Sequence, residues 1–166
     1  MSQKKDNRLL ILGGVGALAV VLALVFSAVS ISGKKSGAAE MTVSEYRYDF
    51  GTISMADGDA RHEFIIRNAG DENLTLSDIR TSCMCTTAEL NIAGERSPVF
   101  GMHNNPAFWV GKIAPGEEAA LEVVFDPLAH GPNATGSVTR EIVIQTNDQG
   151  STSAIKRFII TANVVK

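Results

Sequence analysis

Two hydrophobic rhythms divide this chain. Residues 9–31 read LLILGGVGALAVVLALVFSAVSI, with no charged residue between Arg8 and Lys34. A helix rises about 1.5 Å per residue, so the run covers roughly 34 Å, enough to cross a hydrocarbon layer about 30 Å thick. Every backbone group in such a layer must be bonded within the segment, which predicts a helix. Past residue 40 the rhythm changes to alternation. In residues 61–67 His62, Phe64 and Ile66 share one side, and Arg61, Glu63 and Arg67 take the other. Leu121, Val123 and Phe125 share a side in residues 119–125, as do Ile142 and Ile144 in residues 140–146. Residues 157–164 put Phe158, Ile160, Ala162 and Val164 together. Residues two apart on a strand face the same way, so each segment can cover one side of a core.

Turn chemistry separates these runs. Ala56-Asp57-Gly58-Asp59, Asn68-Ala69-Gly70-Asp71 and Asn147-Asp148-Gln149-Gly150 fall between them. Ala114-Pro115-Gly116-Glu117 carries proline and glycine at the two central positions, as a type II turn requires. Asp126-Pro127 stops a strand because proline has no amide to donate. The pattern predicts an all-β fold: an immunoglobulin-like antiparallel β-sandwich of seven to eight strands, preceded by one N-terminal transmembrane helix. The implied layout is a cytoplasmic tail at residues 1–8, an anchor at 9–32, a linker at 33–40 and the sandwich at 41–166. No Cys–Trp–Cys framework is present, so apolar packing must hold the sandwich.

The apolar run is longer than the roughly 7–15 residues of a removable signal, which favours a retained anchor, although Ala28-Val29-Ser30 resembles a cleavage site. Lys4, Lys5 and Arg8 before the run outnumber Lys34 and Lys35 after it, so the amino terminus is expected in the cytoplasm and the C-terminal domain outside it. The chain holds 15 Lys and Arg against 18 Asp and Glu, a net charge of −3. An acidic outer domain with no basic stripe argues against nucleic-acid binding. No metalloprotease helix, nucleophile elbow or phosphate-cradling loop occurs, and the chain is read as non-enzymatic apart from its thiols.

Those thiols are Cys83 and Cys85, the two cysteines of the chain. In an extended strand they would lie about 6.6–6.8 Å apart, near the upper limit for a disulfide, so a bridge requires the chain to turn at Met84. Two thiolates on one face also suit a soft ion, Cu(I) above all, with Met84 between them and Met102 and His103 from the following segment as completing ligands. Buried structural thiols and a labile disulfide are the other readings. Phe100, Phe108 and Trp109 are expected to fill space beneath that segment, and His130 to sit in a solvated turn.

Several segments together resemble a known family: Tyr48-Asp49-Phe50-Gly51-Thr52-Ile53, Arg67-Asn68-Ala69-Gly70, Ser82-Cys83-Met84-Cys85-Thr86, Ile113-Ala114-Pro115-Gly116-Glu117 and Ile144-Gln145-Thr146-Asn147-Asp148. Their order is similar to the bacterial exported family called Domain of Unknown Function 1573, itself similar to Hydin-like and major-sperm-protein-like immunoglobulin folds. The resemblance implies an extracytoplasmic immunoglobulin-like domain and no particular activity. Two departures stand at the thiols: Met84 replaces the usual glycine, and residues 91–109 form an extra segment. The expected function is a membrane-anchored interaction or scaffold module that binds another protein of a bacterial envelope. The alternative is a copper-binding or thiol-redox protein.

Overall fold

The computed structural model describes residues 37–103, 105–151 and 153–166. The expected tail and anchor, residues 1–32, lie outside the described residues. Among the described residues no helix is long and apolar enough to cross a membrane.

Among the described residues, ten strands form two five-stranded sheets. In chain order they are β1 (Met41–Val43), β2 (Arg47–Ser54), β3 (Ala60–Asn68), β4 (Leu74–Thr81), β5 (Thr86–Ile92), β6 (Glu95–Arg96), β7 (Val110–Ile113), β8 (Glu118–Phe125), β9 (Gly136–Thr146) and β10 (Ala154–Val165). One sheet runs β1-β3-β8-β5-β6 and the other β2-β10-β9-β4-β7. This exceeds the seven to eight strands expected, for two local reasons. The first edge segment breaks at residues 44–46, so β1 joins one sheet and β2 the other. The second is a tight hairpin at Ala93-Gly94, both at positive φ, which folds the two-residue β6 back on β5. Positive φ at both central positions is the geometry of a type I′ turn. The sandwich is also not purely antiparallel, because β2 pairs parallel with β10. A strand that crosses from one sheet to the other keeps its direction and meets its new neighbour in parallel.

The alternation seen in sequence is the core. Phe64, Ile66, Leu121, Val123, Ile142, Ile144, Phe158 and Ile160 are buried between the sheets. The intervening Arg61, Glu63 and Arg67 face out, where Arg61 pairs with Glu122 and Arg67 with Glu118. His62 is half-buried, stacked on Tyr48 at 3.5 Å between centroids, with Nε2 3.1 Å from Glu45. The Pro115-Gly116 turn forms as expected: Gly116 has φ of 80° and Glu117 N–H donates to the Ala114 carbonyl at 3.0 Å.

Buried polar groups tie the amino-terminal edge down. The Asn68 amide donates to the carbonyls of Glu72 (2.8 Å) and Ile113 (2.9 Å), and its Oδ1 accepts from Gly70 N–H at 3.0 Å. Asp148, also buried, accepts from Met41 N–H at 2.6 Å and pairs with Lys156. Ala38 to Glu40, expected as linker, are bonded into the domain: Asp71 N–H donates to Ala38, Ala69 N–H to Glu40 and Gln149 N–H to Ala39.

Replacing Asn68 by Ala strips four backbone groups of a partner, those of Glu72, Ile113 and Gly70 and the Glu40 N–H that reaches Oδ1 at 3.4 Å, each worth about 1–3 kcal/mol when buried. Denaturant unfolding of Asn68→Ala is expected to show a loss on the order of 3 kcal/mol. A second expectation concerns pH. The hydrogen bond that Lys156 donates to Asp148 raises the Lys156 pKa above its ordinary value of 10.5, with burial opposing it. The folded state therefore holds this proton more tightly, and the contribution is complete at neutral pH and lost as pH climbs through the raised value. The stability gap between wild type and Lys156→Met should shrink on alkaline titration above pH 10.5.

Candidate functional site

The thiols lie where β4 hands over to β5. After Thr81 the chain leaves the strand and turns, and Thr86 N–H donates to the Cys83 carbonyl at 3.2 Å. The buried Thr81 hydroxyl lies 3.0 Å from the Cys83 carbonyl and 2.9 Å from that of Thr86, clamping the bend from beneath. This turn brings the two Cα atoms to 5.3 Å, and Cys83 and Cys85 are joined in a disulfide. Of the readings open in the sequence, the turn at Met84 is the one realised. Cys85 is buried, Cys83 half-buried, and Met84 projects outward at 68% exposure.

Two side chains from other strands close on the sulfurs. Arg140 of β9 points its Nε at Cys85 Sγ, 3.0 Å away, while its Nη1 donates to the Thr139 carbonyl at 2.8 Å. Its guanidinium lies 6.0 Å from the Phe125 ring centre, a cation–π distance. Among the described residues no carboxylate pairs with Arg140. His130, in the turn after β8, places Nε2 3.2 Å from Cys83 Sγ. That turn is held by Asp126, whose Oδ1 accepts from Leu128 N–H at 2.7 Å, and by Gly131 N–H donating to Leu128. His130 is exposed, as a turn histidine should be, but it is not idle.

Cys83, Cys85 and His130 offer ligand atoms within 4.8 Å of one another. Among the described residues the expected partner His103 is not in that group, and neither Met102 nor His103 hydrogen-bonds to a sulfur. Their segment does return beside the end of β4, where Thr81 N–H donates to Gly101 at 3.2 Å. Met102 and His103 then line a cleft with Ile79, Arg80, Phe108 and Trp109 whose walls include neither cysteine. The histidine brought to the sulfurs is His130, not His103. A sequence signal for it existed only in hindsight of register: Thr86 pairs with Phe125, so the turn after β8 must pass over the start of β5.

The segment at residues 91–109 makes a second feature. Phe100 is buried and bridges to Ala88 through reciprocal backbone bonds of 2.8 and 2.9 Å. Trp109 packs edge-on against Phe100 at 5.1 Å. Phe108 departs from expectation: it is fully exposed, at φ of 67°, a conformation costly for a bulky side chain. Beside it Val110, half exposed, opens β7, an edge strand bonded only to β4.

Residues 39–157 match the model of the family HYDIN/CFA65/VesB-like, Ig-like domain. The chain belongs to that family. This HYDIN/CFA65/VesB-like domain also resembles solved structures. A protein of unknown function from Porphyromonas gingivalis superposes with a TM-score of 0.56 at 21% identity, covering 75% of this chain and 46% of that one. The chain thus spans less than half the length of that relative. A PapD-like domain of human CEP192 gives 0.49 at 10% identity, covering 78% and 87% of the two chains. The secreted serine protease VesC from Vibrio cholerae gives 0.47 at 12% identity, covering 75% and 23%. No curated protein matches the chain. At 21% identity the likeness to the Porphyromonas gingivalis protein speaks to the fold alone.

Trp109 is the single tryptophan, so its emission reports on the β7 edge. A Cβ on Gly111 would come within 2.6 Å of the Trp109 ring and 2.7 Å of Ile92 Cδ1. Gly111→Ala is therefore expected to displace the indole toward water and red-shift its fluorescence, with the far-ultraviolet circular dichroism unchanged.

Proposed function

We propose that this protein is a membrane-anchored immunoglobulin-like module of the Domain of Unknown Function 1573 type, holding its sandwich on the outer side of a bacterial membrane and binding another envelope protein at the β7 edge. The observation that carries the reading is Phe108: a fully exposed aromatic held at φ of 67° next to an open edge strand. An exposed aromatic is costly in water and suits an anchor that a partner buries. Edge strands accept an added strand through their unpaired amides and carbonyls, and side chains beside the edge select the partner. The Cys83–Cys85 disulfide supports an oxidising compartment, since such bonds persist outside the cytoplasm. The apolar run at residues 9–31, with Lys4, Lys5 and Arg8 before it, supports the anchor and its orientation.

Two measurements test this. Alkaline phosphatase fused after Lys166 should be active and the same fusion to a cytoplasm-dependent fluorescent protein dark; the reverse pattern would overturn the placement. A photo-crosslinking residue at position 108 in intact cells should trap one discrete envelope protein, lost when Val110→Lys is added. The same probe at Thr52, on the opposite edge strand β2, should trap none. Equal crosslinking from both edges would remove the β7 edge as the binding surface.

A further inference from the structure

We propose that Cys83 and Cys85 form a thiol–disulfide exchange centre in which Cys83 is the attacked sulfur, Arg140 holds the departing Cys85 thiolate, and His130 returns a proton to Cys83. The inference is independent of what the β7 edge binds.

Access and charge assign the roles. Exchange proceeds by in-line attack of a thiolate on one sulfur, with the other leaving as thiolate. Cys83 is half-buried beside the exposed Met84 and His130, whereas Cys85 is 3% exposed. An incoming sulfur reaches Cys83 first. The electron pair of the broken bond then goes to Cys85 Sγ, and the group 3.0 Å from that atom is the Arg140 guanidinium. A hydrogen bond from a cation to a thiolate is charge-assisted and far stronger than one to a neutral disulfide sulfur, so the contact favours the opened state. Arg140 is half-buried and no carboxylate among the described residues competes for it, which leaves its charge directed at the sulfur. A metal is the poorer occupant of the same atoms, because an incoming cation would sit against that guanidinium.

The co-reactant is a thiol, and the steps balance. The first thiolate bonds to Cys83 Sγ and the Cys83–Cys85 bond breaks, giving a mixed disulfide and the Cys85 thiolate. A second thiolate attacks the external sulfur of the mixed disulfide and Cys83 leaves. As an imidazolium, His130 can hand the proton on Nε2, 3.2 Å away, to Cys83 and regain one from solvent. Two external thiols become one external disulfide, two electrons enter the protein, and the second proton goes to solvent while Cys85 stays ionised. Run backward, an external disulfide is reduced to two thiols while the Cys83–Cys85 bond re-forms and two electrons leave the protein.

The test uses the full-length chain in detergent with glutathione and dithiothreitol as probes. Peptide mass analysis after brief glutathione treatment and acid quenching should find the adduct on Cys83; an adduct on Cys85 would overturn the assignment. Reduction by dithiothreitol should slow on the order of tenfold in Arg140→Gln, the usual size of one lost charge-assisted bond, and recover largely in Arg140→Lys. In a glutathione buffer the Arg140→Gln equilibrium should move toward the disulfide, while His130→Gln should slow release of the mixed disulfide and leave that equilibrium nearly unchanged. Thermal unfolding of each variant separates these effects from misfolding. Wild-type reduction rates in both Arg140→Gln and His130→Gln would sink the proposal. So would a reduced wild type that holds Cu(I) or Zn²⁺ through both cysteines and fails to exchange with glutathione.

Discussion

The dry layer between the two sheets governs everything else in this domain. The disulfide joins residues two apart and so cannot link one sheet to the other; on the loop-closure model it is worth only roughly 1–2 kcal/mol. What brings the sheets together is the set Phe64, Leu121, Ile142 and Phe158 with their neighbours, each fully buried. Because side chains alternate with a period of two, a slip of one residue in any pairing would turn an apolar row to water. The core thereby dictates register. Register in turn builds the thiol corner: Thr81 opposite Ile142 brings Arg140 alongside the cysteine turn, and Thr86 opposite Phe125 brings the His130 turn over it. The contacts at the sulfurs are consequences of packing many residues away.

How much of this could be read along the chain follows from the same logic. The strands with clean alternation, β3, β8, β9 and β10, were legible because burial on one side leaves a period-two signature. The Pro115-Gly116 turn was legible because its residues meet the turn's backbone demands locally. The β5–β6 hairpin was not, since Ala93 at φ of 52° replaces the asparagine or glycine that announces such a turn. The split of the first edge strand was not either, because it is decided by which sheet edge has a vacancy.

The thiol corner shows the limit most plainly. Cys83 and Cys85 are legible along the chain, being two residues apart and chemically distinctive. Met102 and His103 suggest themselves as partners because they follow closely in the chain. Proximity along the chain is a poor guide in a sandwich, where a loop can pass beside a site and direct its side chains away from it. The groups that do reach the sulfurs, His130 and Arg140, stand 47 and 55 residues from their respective cysteines. Only the pairing of β5 with β8 and of β4 with β9 makes them neighbours.

The two unusual features of the domain both border one strand, and their chemistry differs in a way that bears on function. β4 pairs through Leu74 to Ser77 with Ile113 to Val110 of the β7 edge, and after Thr81 it leads into the cysteine turn. The edge offers apolar surface and unpaired backbone groups, which suit slow, area-dependent association. The turn offers one accessible sulfur with a cation and an imidazole behind it, which suits brief contact with a small group. Each feature roots in the core, through Cys85 and through Ile113, yet each carries a cost that the core must offset: Phe108 its exposure and positive φ, Arg140 a half-buried charge with no carboxylate partner among the described residues. A sandwich needing only to be a spacer would gain from a glycine at position 108 and an apolar residue at position 140. That it has neither is the physical reason to treat both places as sites.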